Sequence, residues 1–484
     1  MNATLFEDSQ AMPMLYIGGS WRRGQGKTTT VVRNPASGRA LGELGHADAR
    51  DIDDALASTE CGFALWRYAP AAERAGVLRR AADLMVARAA AFEQRITQEQ
   101  GKPLVEASAE VVGTVQLLRF CSEQVGSIAG RVLPSTDTDA QWEIRSVPVG
   151  PCALFSPWNM PLVLTARKVG PALAAGCSAI LKPPEEAPSA AAMMVQCLLE
   201  SGLPPEVLNL LYGDPPTVSS RLIASPVIRK VSLTGSVAVG RTVAEQAAPR
   251  FKRLTLELGG HAPVIVHDDV DVEAVAWQCA RAKFRNAGQL CLAPSRFFVN
   301  ETVYERFVAR FVEVAEALVV GDGVLPDVEM GPLANEGHLR SVEAAVAGAV
   351  GEGALLLCGG RRLYDEGFFY APTVLGNVSP SMRVMREEPF GPVALMCRVS
   401  SLDEALLWAN RNPLGLAGYA FALNAKVQLR IQRELDVGAL AINSVRVSCA
   451  EAPLGGLKDS GVGYESGDEG LKAYLSLRTV HRQI

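Results

Sequence analysis

Cys291 sits in the segment FRNAGQLCLAP, where small and polar residues precede the strand-like run RFFVN. A thiolate in such a loop is a strong nucleophile toward a carbonyl carbon, provided a base or a positive environment activates it. The other nine cysteines mostly lie within apolar runs and read as packing residues. No histidine lies near Cys291 in sequence, so its partner must come from elsewhere. Glu257 ends the apolar run TLEL ahead of two glycines. Desolvation there would lift its pKa toward a value useful for a general base, although a buried, paired structural carboxylate reads the same way. Gly235 and Ser236 would open a helix and offer free N–H groups to a phosphate, with a plain turn as the alternative. Lys182 ends a strand with prolines behind it, held to bind a ribose hydroxyl or phosphate, or simply solvated.

Elements of two kinds must position these groups. Residues 49–125 carry Ala, Leu and Val at three- and four-residue spacing, which predicts helices, the first capped by Asp48 or Asp51. Residues 126–146 read as two extended runs around a polar turn, a hairpin. From Gly150 short apolar runs alternate with helical stretches: CALFS, a helix over 161–175, CSAILK, a helix over 189–200, VLNLLYG, IRKVSLTG, a helix over 237–247, then RLTLEL. That rhythm implies a parallel sheet with right-handed crossovers, which binds ligands at the carboxyl ends of its strands. After LELGG the pattern restarts with APVIVH and a helix over 271–285, so a second α/β domain begins near residue 257.

The 484 residues suffice for about three domains. A net charge of −5 lacks the electrostatic footprint of a nucleic-acid binder. The most apolar stretch, 161–181, holds Arg167 and Lys168, so no membrane span is expected, and the acidic N-terminus does not resemble a signal peptide. Scattered cysteines without CxxC spacing, with five scattered histidines, point to reduced thiols, a cytoplasmic protein and no metal site.

Seven motifs then converge: PWNMP (157–161), LKPPEEAP (181–188), LTGS (233–236), LELGG (256–260), GQLC (288–291), EEPFGP (387–392) and PLGGLKDSG (453–461). In this order they resemble the NAD(P)-dependent aldehyde dehydrogenases, and within them most closely the succinate-semialdehyde dehydrogenase group. The resemblance implies an aldehyde-dehydrogenase-like α/β fold: a doubly wound parallel-sheet NAD-binding domain (1–122 and 147–256) and an α/β catalytic domain (257–442). A β-hairpin oligomerisation arm with a C-terminal segment (123–146 and 443–484) would make a homodimer or homotetramer. It further implies that Cys291 forms a thiohemiacetal and then a thioester, that Asn159 and the Cys291 N–H make the oxyanion hole, and that Glu257 is the base. Ser156, Trp158, Lys182, Glu185, Gly213, Gly235, Ser236, Leu258, Glu388 and Phe390 would hold the cofactor. Glu465 aligns with a second carboxylate sometimes assigned to proton relay. A carboxylate at Glu185 would repel a 2′-phosphate, favouring NAD over NADP. A base at Glu257 favours hydrolysis to the free acid over transfer to CoA.

The resemblance further implies that Arg167 and Arg285 match the pair that binds the distal carboxylate of a semialdehyde, a task suited to the planar guanidinium, and Ser448 lies near the serine of that same pocket. If the arginines instead pair with internal carboxylates, a neutral aliphatic or aromatic aldehyde becomes the better substrate. A catalytically silent structural relative is the remaining alternative. The chain departs from the family pattern in YGDPP, read as a loop in place of a glycine-rich one, in Leu454, in His261, and in Leu292, which leaves Cys291 without a vicinal thiol.

Overall fold

The computed structural model describes Phe6 and residues 11–483. The predicted helical region forms four helices, Ala49–Trp66, Ala71–Ala87, Ala89–Gln100 and Leu104–Gln124. Asp48 caps the first, in a reciprocal capping box with Asp51. These helices pack beside an eight-stranded sheet. Its order is Ser20–Arg22, Leu15–Ile17, Leu208–Leu210, Ala179–Lys182, Cys152–Phe155, Lys230–Thr234, Arg253–Glu257 and Gly461–Val462. The five strands from Leu208–Leu210 to Arg253–Glu257 are parallel. Chain order reverses on either side of Cys152–Phe155, and at such a switch point strand ends splay to leave a crevice.

A second sheet of seven strands runs Leu355–Cys358, Thr373–Gly376, Val393–Val399, Pro294–Asn300, Ala262–Val266, Ala417–Phe421 and Ala439–Ile442. All its pairings are parallel except the first. Each sheet buries its own apolar cluster. The fully buried strands, such as AILK and APVIV, are the continuous apolar runs expected of parallel sheets covered on both faces.

The hairpin read at 126–146 forms as Arg131–Leu133 and Ala140–Pro148, and the C-terminal strand Leu475–Gln483 completes a three-stranded antiparallel sheet. Its start differs from expectation, because the helix Leu104–Gln124 continues into a 3-10 turn through Ser127. The proline-rich YGDPP is a loop only as far as Asp214, and its two prolines open a helix. Asp214 caps a helix over Pro215–Ala224, accepting the Thr217 N–H at 3.0 Å, with proline in the first turn where no N–H is needed. Among the described residues no helix is long and apolar enough to cross a membrane, and no cluster of His, Cys, Asp or Glu is arranged to hold a metal.

The C-terminal segment does more than extend the arm. Gly461 pairs with Glu257 across the edge of the first sheet, and Leu258 donates to the Ser460 carbonyl at 2.9 Å. Gly461 has φ +142°, and a Cβ there would lie 1.9 Å from the Leu256 carbonyl oxygen. Gly461→Ala is therefore expected to lower stability by about 1–3 kcal/mol. A thermal melt indistinguishable from the parent would refute this tight seam.

Candidate active site

The register of the first sheet brings the chemistry to one edge. Phe155 lies opposite Lys182 and Leu233, and Thr234 lies opposite Glu257. The turns carrying Trp158 and Asn159, the helix start at Ser236 and the carboxylate of Glu257 thus share the carboxyl end of the sheet. Cys291 comes from the other side, three residues before the strand Pro294–Asn300. The linker between the sheets closes the gap. A Cβ on Gly260 would lie 2.6 Å from the Cys291 carbonyl oxygen, and one on Gly259 3.3 Å from Glu388 Oε2.

The turn before Cys291 is strained. Asn286 and Ala287 hold φ of +49° and +52°, and Gly288 follows at +72°. A Cβ on Gly288 would lie 2.1 Å from the Gly391 carbonyl oxygen. Two consecutive non-glycine residues in this region cost energy, so the surroundings must hold them. Gln289 does so from full burial: its amide donates to the Asn286 carbonyl at 2.9 Å and accepts the Ala334 N–H at 2.9 Å. The Asn286 N–H donates to Glu106 at 2.8 Å.

Asn159 is fixed from both ends. Its side-chain amide donates one N–H to the Gln289 carbonyl at 2.9 Å, leaving the second N–H of the group. Its own carbonyl accepts from Lys102 Nζ at 2.9 Å and from the Asn286 amide at 3.0 Å. Lys102 in turn pairs with Glu110 at 2.6 Å, both fully buried. The other Glu110 oxygen accepts the Leu162 and Val163 N–H groups at 2.8 and 3.1 Å. One ion pair thus ties the Asn159 turn to the helix that follows it.

Glu257 is 1% exposed, and neither of its oxygens meets an N–H or O–H donor. Burial raises its pKa, and the Glu465 carboxylate within hydrogen-bonding range raises it further. Glu465 goes the other way, held low by Lys168, whose ammonium bonds it directly and also donates to Thr234 at 2.7 Å. The thiol of Cys291 is raised by burial and then by the charges of Glu257 and Glu388. It therefore rests as a thiol.

The expected cofactor residues divide. Lys182 and Glu185 pair at 2.5 Å, and Glu185 also accepts the Gly213 N–H at 2.9 Å, so Glu185 is a fixed, partly neutralised carboxylate. Ser236 is exposed and caps its helix, accepting the Val239 N–H at 3.3 Å. Gly235 has open space where a side chain would stand, its nearest neighbour being Leu233 at 3.6 Å. Leu258 packs under Gly240, where a Cβ would sit 2.5 Å from its methyl carbons. Trp158 and Phe390 meet edge-on at 5.8 Å, and burial lifts Glu388 to about 8. Ser156 differs from expectation: its hydroxyl turns inward to Thr165 at 2.8 Å. This edge, with an exposed helix start, a lysine–glutamate pair and a glutamate beside Gly259, fits a nicotinamide dinucleotide.

The cavity beside Cys291 has a volume of about 270 Å³ and is lined by Asn159, Arg167, Arg285 and Ser448, which sequence reasoning named, and by Arg446, which it did not. Arg167 donates to Ser448 Oγ at 2.8 Å. Neither Arg167 nor Arg285 makes an ion pair within 4.0 Å among the described residues, although Glu106 lies close enough to feel the charge of Arg285. Sequence reasoning also missed Lys102, Glu110, Asn286, Gln289 and His338. Only the Asn-Ala-Gly run before Gln289 carried a local signal, since Asn and Gly favour left-handed turns. His338 bonds the Phe390 carbonyl at 2.7 Å and packs against Trp158, a contact no local pattern announces.

A cysteine lining a cavity, a buried carboxylate of raised pKa and a sheet edge that fits a dinucleotide are the parts an oxidoreductase of the aldehyde dehydrogenase kind requires. The chain belongs to the aldehyde dehydrogenase family, whose profile matches residues 21–480. It is 47% identical over 469 residues to 4-(hydroxymethyl)benzenesulfonate dehydrogenase TsaD1 of Comamonas testosteroni, covering 97% of this chain and 98% of that one. It is 35% identical over 462 residues to the succinate-semialdehyde dehydrogenase [NADP(+)] GabD of Escherichia coli, covering 96% of each. The crystal structure of succinate-semialdehyde dehydrogenase from Burkholderia pseudomallei superposes with a TM-score of 0.96 at 38% identity, over 98% of this chain and 99% of that one.

The clamp on Asn159 can be tested by itself. Glu110→Gln leaves the Lys102 ammonium buried without its counter-ion, at an expected cost of about 3–5 kcal/mol. Denaturant unfolding should read that loss, and turnover should fall with it; a variant as stable and active as the parent would remove the clamp from the account.

Proposed function

We propose that this protein oxidises an aldehyde bearing a distal anionic group to the carboxylic acid, with NAD as electron acceptor and water as the acyl acceptor. The observation that carries the reading is the single cavity shared by Cys291, Arg167 and Arg285. Its one acidic lining residue, Glu110, is already paired with Lys102, so neither arginine has an ion-pair partner among the lining residues and both can meet a substrate anion.

The chemistry follows from the groups in place. Cys291 gives its proton toward Glu257 as sulfur adds to the aldehyde carbon, forming a thiohemiacetal. Charge gathers on the former carbonyl oxygen, where the remaining Asn159 N–H and the Cys291 backbone N–H are the proposed donors. A nicotinamide dinucleotide, which Lys182, Glu185, Ser236 and Glu388 would hold, would supply the hydride acceptor. Loss of hydride leaves a thioester on Cys291. Glu257 first gives the cysteine's proton up to solvent; it then takes a proton from water as that water attacks the acyl carbon, the C–S bond breaks, the acid leaves, and Glu257 returns the proton to the departing thiolate. Each turnover consumes one aldehyde, one water and one oxidised dinucleotide.

NAD is proposed over NADP because acid outweighs base where the adenosine would lie. Glu185 and the Asp214 carboxylate, held low by its bonds from Thr217, face one lysine, Lys182, and a 2′-phosphate would add to that surplus. Succinate semialdehyde is the first candidate substrate. A sulfonated aromatic aldehyde is the second reading, favoured by 47% identity across nearly the whole of a benzenesulfonate dehydrogenase. A reduced thiol at Cys291 suits a cytoplasmic setting, and the arm sheet suits a homodimer or homotetramer.

Four experiments test the reading. Wild-type enzyme is expected to turn over charged aldehydes with higher kcat/KM than benzaldehyde or an alkanal, and faster with NAD than with NADP. Cys291→Ala should abolish turnover while dinucleotide binding persists, and residual turnover in it would end the mechanism. Glu257 acts only when ionised, and its pKa is raised, so kcat should climb with pH beyond the ordinary carboxylate range. Glu257→Gln should lower kcat by about 100-fold or more and erase that limb. A pH profile identical to the parent would assign the base elsewhere.

A further inference from the structure

We infer that Arg446 is a specificity-determining residue, an outer cation that selects aldehydes whose anionic group lies a ring's length or more from the aldehyde carbon. The inference rests on the reading of the cavity as an aldehyde site. Arg446 follows the strand Ala439–Ile442 in a loop whose residues Val445 to Ser448 all line the cavity of Cys291. The cations of that cavity lie in two tiers. Arg167 is partly buried and tied to Ser448, so it belongs to the inner tier. Arg285 and Arg446 are exposed and form the rim.

The two rim arginines are not equivalent. Arg285 sits close to Glu106, whose charge offsets part of its own. Among the described residues the Arg446 guanidinium makes no ion pair and no hydrogen bond; only its backbone N–H is engaged, to Ser444 Oγ at 3.0 Å. A guanidinium with five free donors at the mouth of a nucleophile's cavity is poised for bidentate capture of a carboxylate or sulfonate. The dimensions agree. At about 270 Å³ the cavity approaches the roughly 300 Å³ of sites that hold drug-sized ligands, so it has room for more than a four-carbon chain. A short substrate with its anion on Arg167 would leave Arg446 idle, whereas a ring-length spacer carries the anion out to the rim.

The test compares wild type, Arg446→Ala and the neutral, similarly polar Arg446→Gln on 4-carboxybenzaldehyde, succinate semialdehyde and benzaldehyde. Both variants should raise KM for 4-carboxybenzaldehyde about tenfold with kcat nearly unchanged, the worth of one hydrogen bond to a charged group. Benzaldehyde and succinate semialdehyde should respond by less than about twofold. Equal changes on all three aldehydes, or none, would overturn the assignment of Arg446. A wild-type enzyme that prefers benzaldehyde to both charged aldehydes would instead overturn the reading of the cavity itself, so the two failures are separable. Because the side chain is exposed and bonds to nothing, both variants should fold, and matching thermal melts verify it.

Discussion

The proximity of two buried carboxylates is the constraint on which the rest of the site depends. Glu257 and Glu465 face each other with almost no access to water. Two like charges cannot both persist there, and Lys168 decides which remains ionised by bonding Glu465 directly. Glu257 is left as the member whose pKa is raised. The arrangement needs elements far apart in the chain: the helix Val163–Ala175 for Lys168, the strand Arg253–Glu257 and the C-terminal segment for Glu465. Buried ion pairs rarely add net stability, because desolvation offsets the Coulomb gain. Keeping this one is understandable if its product is a tuned base rather than a stronger fold.

The nucleophile's side follows the same logic of constraint without net gain. The left-handed turn Asn286–Ala287–Gly288 and the close approach of Gly260 to Cys291 both hold backbone where it would not settle alone. Gln289, Lys102 and Glu110 supply what holds them. Each is nearly fully buried, so each group left without its partner would be costly, and the network keeps the Asn159 amide in one orientation. Both walls of the cleft are thereby built before any ligand arrives, which is what electrostatic stabilisation of a developing oxyanion demands.

How much of this was legible in the sequence depends on the range of the interaction. Helix and strand identities were legible because hydrophobic periodicity is local. The helices over 189–200 and 237–247 appear at those bounds, as Ser189–Glu200 and Val237–Ala247. The helix Pro215–Ala224 was missed although its signals were local: an aspartate cap and first-turn prolines look the same as a turn when no apolar stripe is weighed beside them. The motifs named Cys291, Glu257 and Asn159 but were silent on Lys102, 57 residues from Asn159, and on His338, 52 residues from Phe390. A side chain that acts by holding another has no type or spacing of its own to betray it. Glu185 was legible as a carboxylate but not as one already paired, though Lys182 stands only three residues away.

The same division explains where selectivity lies in this family's architecture. The chemistry is held by strand ends and by the buried network, where a small displacement would be felt at the reacting carbon. The arginines that line the cavity of Cys291 sit on the helix Val163–Ala175, on the turn before Cys291 and on the loop after Ala439–Ile442. Of these, only the last neither influences the carboxylate pair nor adjoins the turn before Cys291. Arg167 also acts on Glu257 and Glu465, and Arg285 precedes the strained turn directly. Changes at either would disturb the proton balance or the nucleophile's backbone. A loop residue such as Arg446 can change the preferred anion while the carboxylate pair and the thiol stay as they are, so substrate range can drift there at least cost to the reaction.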